Sequence, residues 1–166
     1  MNMHSRIIQL ETEPVPENER LSDWDIESDH WFLYTVADYV AEDEDRAHSL
    51  EWFKEILSPG APHIEYFTDE KGEGLVFRVG FLQAYFSATY TEFADALRKL
   101  SKSASPETFA NDSLSLPMYN LDTAYDDKYG FYIQNDDTGL CTLNRFLRRT
   151  RMDTPYYIGG TVDYHC

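Results

Sequence analysis

Cysteine is nearly missing from this chain: Cys141 and Cys166 are the only two, which rules out a disulfide framework and leaves free thiols expected. No stretch approaches the roughly 18 apolar residues that a membrane helix needs. The opening MNMHSRIIQLETEPVPENER has no basic start, no long apolar run and no small-residue cleavage site, so no secretory signal is read there. A cytoplasmic protein without membrane association is expected.

Catalytic and cofactor signatures are missing as well. KGEG (71–74) and IGG (158–160) are turn glycines without the P-loop lysine or the dinucleotide fingerprint. No GxSxG elbow occurs. His4, His30, His48, His63 and His165 show no zinc spacing and read as ordinary surface histidines, although His4 and His165 would approach each other if the terminal strands pair. An EF-hand begun at Asp23 fails, because position 6 is Ser28 and position 12 is Tyr34. The same test fails over 134–145, where Gly139 fits position 6 but Arg145 occupies position 12. No metal, no cofactor and no catalytic residue is therefore assigned. Distant carboxylate pairs are uninformative among thirty acids.

Basic residues are scarce: fourteen Lys and Arg face thirty Asp and Glu, a net charge of −16. A field of that sign repels nucleic acid and anionic membranes and attracts basic proteins. Its distribution is uneven. Residues 11–51 hold fourteen acids against Arg20 and Arg46, a net of −12. Within this acidic third, LSDWDIESDHW (21–31) places Asp23, Asp25, Glu27 and Asp29 at every second position. That alternation predicts an extended segment, its carboxylates about 6.6 Å apart on the wet face from a rise of about 3.3 Å per residue. Trp24, Trp31 and Tyr34 lie among the acids and are the residue types that anchor interfaces.

Arg145, Arg148, Arg149 and Arg151 stand within seven residues with no acid between them. On a helix 145, 148 and 149 share a face. Their first reading is that they partner the chain's own acids or border the last helix turn; the second is an anion site, which guanidinium geometry suits. The third, nucleic-acid binding, is opposed by the overall −16.

With 42% hydrophobic and 15% aromatic residues the chain has ample material for a core, and its length suits one domain over 1–166. HSRIIQL (4–10) predicts a strand and ETEPVPENER a loop. The stretch 31–42 fits neither period cleanly and is either a strand or a short helix. Residues 44–57 predict a helix facing inward through Ala47, Leu50, Phe53 and Leu57. Two strands are expected across 63–79. A long helix over 81–102 carries the stripe Leu82, Tyr85, Phe86, Phe93, Leu97 and Leu100. Ser105 caps a short helix over 105–109, and a further helix is expected over 116–130. A strand at 131–133 precedes a helix capped by Thr142, and 156–165 is a hairpin or one strand with a glycine break. The expected fold is α+β: a mostly antiparallel sheet of about four to six strands packed with three to four helices, its terminal strands neighbours.

Two functional classes follow. The first is a non-catalytic acidic domain docking a basic partner, as nucleic-acid mimics of the anti-restriction and immunity type do by composition. Asp23, Trp24, Asp25, Glu27, Asp29, Trp31, Asp43, Glu44 and Asp45 would then carry the contact. The second is a small enzyme or ligand-binding domain with an aromatic-lined pocket around QAYFSATY (83–90). Behind both stands a plainer possibility, that the charge serves only solubility.

Overall fold

A computed structural model describes residues 3–28 and 30–166, residue 30 through its backbone alone. Its centre is the pair formed by β1 (His4–Glu11) and β7 (Pro155–His165), antiparallel from His4 opposite His165 to Glu11 opposite Tyr157. β5 (Tyr132–Asn135) joins β1 in parallel, and β6 (Gly139–Thr142) folds back on β5. Two strands divide the other edge of β7. β4 (Gly72–Phe77) takes Pro155–Tyr157, and β2 (Tyr39–Glu42) takes Val162–His165. β3 (Ile64–Asp69) closes a hairpin with β4, giving a seven-stranded mixed sheet in the order β3-β4-β7-β1-β5-β6 with β2 beside β7.

Both faces of this sheet are covered. β1 sends Ile8 and Leu10 to one side and Ile7 to the other, and all three are fully buried. β7 does something less expected: Tyr156 and Ile158 join the first core while Val162 and Tyr164 join the second. All four are even-numbered, so a plain strand would keep them on one face. The register slips between Ile8 and Leu10, and one extra residue at Gly159–Gly160 reverses the alternation. A Cβ on Gly159 would come within 2.2 Å of Gln9 Oε1, and one on Gly160 within 2.2 Å of the Leu21 carbonyl. Gln9 Oε1 fastens the bulge by accepting the N–H of Gly160 at 2.9 Å and of Leu21 at 2.8 Å. Of the two readings of this segment, the glycine break within one strand is the one observed.

α3 (Arg46–Leu57), α4 (Phe81–Ser103) and α7 (Leu143–Arg149) supply the first core through Leu50, Phe53, Leu57, Phe81, Tyr85, Phe146 and Leu147. Ala47 is exposed, and Ser49 is buried in its stead. α1 (Asp23–Glu27) and α2 (His30–Thr35) cover the opposite face, around Ile26, Phe32 and Val36. α5 (Pro106–Phe109) is capped by Ser105 as expected, and α6 (Ser115–Asp126) returns along α4. Among the described residues seven α-helices and seven strands exceed the expected numbers, in part because 22–42 breaks into α1, α2 and β2 and because β6 follows the turn after β5.

The alternating acidic row is the main correction. Asp23, Asp25 and Glu27 lie on a helix, not on an extended segment; Asp29 is outside the described residues. Only Ile26 of α1 is buried, so the alternation of its solvent-facing residues does not decide the backbone. Local hydrogen bonding does. The Asp25 carboxylate accepts the Ser22 N–H at 2.8 Å and the Ser22 hydroxyl at 2.9 Å, fastening the first turn.

Candidate functional site

α1 packs against α2 and β2, which brings the acidic segments together over the second core. Large aromatics stand out from this surface: Trp24 is 75% exposed, Tyr34 85%, and Trp31 and Tyr39 also reach solvent. Asp25, Glu27, Glu42 and Glu44 are exposed beside them, and Asp23 is half-buried. Among the described residues no Lys or Arg forms an ion pair with any of these five carboxylates.

Asp43 points inward, and Asp45, though exposed, is committed to a helix cap. The Asp43 side chain is 3% exposed, accepts the Thr161 hydroxyl at 2.5 Å and lies 3.8 Å from Arg6 Nε. Burial pushes its pKa up, but the bonds from Thr161 and Ser49 and the Arg6 charge outweigh that and hold it below the usual carboxylate range. Asp45 caps α3 by accepting the His48 N–H at 3.0 Å. Asp23, Trp24, Asp25, Glu27, Trp31 and Glu44 therefore form the outward set.

The arginine run divides in two. Arg145 Nη2 and Arg148 Nη1 reach the buried Asp126 at 3.0 and 3.3 Å, and Thr142 donates to the same carboxylate at 2.8 Å. The Arg148 guanidinium also lies 3.8 Å from the Tyr125 ring and 4.9 Å from Phe86. Arg145 and Arg148 are thus engaged by α6, and not by the acids of 23–45. Arg149 and Arg151 are exposed.

A cleft of about 650 Å³ opens between α4, α6 and the start of α7, lined by the buried Tyr85 and Asn144 and the exposed Asp127. A second recess of about 400 Å³ meets the same three residues from the side of Trp52 and Phe131. Tyr85 and Thr89 belong to the QAYFSATY stretch, whereas Asp127 and Asn144 carry no motif that marks them in the sequence. Burial and the nearby Asp127 charge push the Tyr85 hydroxyl up to about 12, against the pull of Arg148. Asp127 itself is raised above its ordinary value by the surrounding protein and by Asp126.

Where β1 begins and β7 ends, the His4 and His165 rings meet edge to face at 5.3 Å, as strand pairing implied. His165 is not a surface histidine: its side chain is 14% exposed and its ring stacks on Tyr39. Among the described residues no group of three or more His, Cys, Asp or Glu side chains is placed to hold a metal. Cys141 is buried and burial raises its thiol pKa, which suits packing better than nucleophilic chemistry. No described helix is long and apolar enough to cross a membrane. Compared with known protein families, curated proteins and solved structures, the chain finds no match.

Proposed function

We propose that the protein is a non-catalytic binding domain of the cytoplasm whose α1–α2–β2 face docks a basic protein, with a nucleic-acid-binding partner as the best chemical fit. The observation that carries this reading is Trp24, 75% exposed and flanked on its own helix by Asp25 and Glu27, neither of them ion-paired within the described chain. A large ring held in water beside unneutralised carboxylates gains on association, since the ring buries apolar area while Lys and Arg of the partner meet the acids. Tyr39 and Trp31 widen the same patch. A groove built for phosphates presents the required cations, and a carboxylate surface is able to occupy it as a mimic of the polyanion.

The test is capture of partners by the full chain and by a variant carrying Trp24→Ser, Glu27→Lys and Glu44→Lys. None of these three positions supplies a cap or a core contact, so the fold is expected to survive. Wild type should retain a basic protein that high salt releases, and the variant should lose it. Equal retention by both would sink the reading.

A further inference from the structure

The cleft of α4, α6 and α7 is built differently from the acidic face. Ala96, Leu116, Pro117 and Ala124 supply apolar wall among Thr89, Asn120 and Thr123, while Tyr85 and Asn144, both buried, and Asp127, open to solvent, make up its polar floor. A cleft that sets apolar wall beside convergent polar groups suits a small molecule with an apolar body and a polar end. The floor narrows the chemistry of the ligand. Asp126 is satisfied by Thr142, Arg145 and Arg148, but among the described residues nothing donates a hydrogen bond to the neighbouring Asp127 carboxylate. Tyr85 and Asn144 are loosely held: the Tyr85 hydroxyl donates to Asn144 Oδ1 at 3.5 Å, and Asn144 Nδ2 to the Tyr125 carbonyl at 3.5 Å. Both lie at the outer limit of hydrogen-bond length, so the acceptors keep capacity in reserve.

The backbone works to hold Asp127 there. It ends α6 in the left-handed conformation, φ 45° and ψ 66°, which is unusual for a residue other than glycine. Gly130 leaves room for the carboxylate, since a Cβ at 130 would come within 2.2 Å of Asp127 Oδ2. At the rim Glu92 faces Lys99, and Asp95 is paired with Arg98 at 2.5 Å, so the rim adds no net positive charge.

We propose that this cleft binds a small organic ammonium ion with an apolar body, its –NH₃⁺ group on the Asp127 carboxylate and its body between α4 and α6. An ammonium has three donors, and the floor offers three acceptors in Asp127, Asn144 Oδ1 and the Tyr85 oxygen. An anion meets repulsion in this cleft, and a neutral apolar molecule strips water from Asp127 and returns no partner. The neighbouring Arg148, its guanidinium between Phe86 and Tyr125 and bound to Asp126, shows the same cation chemistry made within the chain.

The experiment is an amide NMR titration of the full chain with 2-phenylethylammonium chloride at physiological salt, with 2-phenylethanol as the neutral counterpart. Saturable shifts are expected at the amides of Tyr85, Thr89, Asp127 and Asn144. The alcohol and the Asp127→Asn variant should each bind about tenfold more weakly or worse, as loss of a charge-assisted hydrogen bond implies. Asn tolerates the left-handed backbone, so an unchanged spectrum away from the cleft certifies the variant. Equal binding of the alcohol overturns the proposal, as does binding that survives Asp127→Asn. Shifts centred on residues 23–45, or no saturation at millimolar ligand, also overturn it. The docking reading stands or falls separately, because its variant leaves the cleft untouched.

Discussion

Glu11 ends β1 beside the turn between β5 and β6, where its carboxylate accepts the Asp136 N–H at 3.1 Å. Burial is the largest influence on it. Although the Asp136 N–H favours the charged form, burial and the charges of Asp136 and Asp137 raise its pKa from 4.5 to about 7. The folded chain therefore holds this proton more tightly than the unfolded chain does. Its contribution to stability is complete below pH 4.5 and is lost as pH climbs through about 7. Glu11→Gln keeps an acceptor for the Asp136 N–H and never ionises. Because the group is only partly buried, the effect is discounted to about 1 kcal/mol, the amount by which the variant should exceed wild type at pH 8. Urea unfolding at pH 5 and pH 8 checks it, and parallel profiles for the two proteins would show that Glu11 is not the titrating group.

At the scale of elements, Asp126 joins the end of α6 to the start of α7. Thr142 caps α7 by accepting the Arg145 N–H while donating its own proton to Asp126, so one hydroxyl serves both helices. Asp126→Ala leaves Arg148, 28% exposed, with the Tyr125 carbonyl but no carboxylate to pair with, whereas Arg145, 56% exposed, is free to turn to water. A loss of about 2–3 kcal/mol is expected, below the full cost of breaking a buried pair, with Asp126→Asn losing about half as much. Hydrogen exchange should quicken first in α6 and leave the central β1–β7 pair protected, since local opening follows the broken contact. A uniform change across the sheet would count against this joint.

The same scale shows what the sequence disclosed. β1 was legible as a β-branched apolar run buried on both faces, and α3 because one face meets a core and burial imposes its period. α4 was legible through its first turns at Phe81 and Tyr85, although Leu97 of the same stripe is 47% exposed. Thr142 and Ser105 were legible as caps because their chemistry is local. α1 was not: a five-residue helix burying only Ile26 imposes no period, and the alternating acids belong to its wet side. The bulge at Gly159–Gly160 was half legible, as a break whose partner Gln9 lies at the other end of the chain. Asp127 and Asn144 escaped notice for a related reason. Their meeting with Tyr85 is a product of helix packing, and no spacing along the chain encodes it.

The whole molecule carries −16 on 166 residues, with −12 of it in residues 11–51 and little compensation from the chain's own cations. Like charges held together by folding repel one another, so the free protein should be stabilised by screening. Between about 10 mM and about 300 mM NaCl the Debye length falls from about 30 Å to under 10 Å, which separates most surface carboxylates electrostatically. A gain of about 1 kcal/mol, or about 2–4 °C in Tm for a domain of this size, is the expected outcome. Chloride is the right anion for the measurement, because sulfate also strengthens apolar burial and would confuse the two effects. In the Trp24→Ser, Glu27→Lys, Glu44→Lys variant the net charge falls to −12 and the repulsion within the acidic third shrinks, so its Tm should respond less to salt than that of wild type. The complex with a basic partner should respond in the opposite sense, since the salt that relieves the free domain removes the attraction it docks by. Thermal scans of free protein and complex at both salt concentrations separate these signs. If free wild type gains nothing from salt, the acidic surface is already balanced within the fold, and the electrostatic case for docking goes with it.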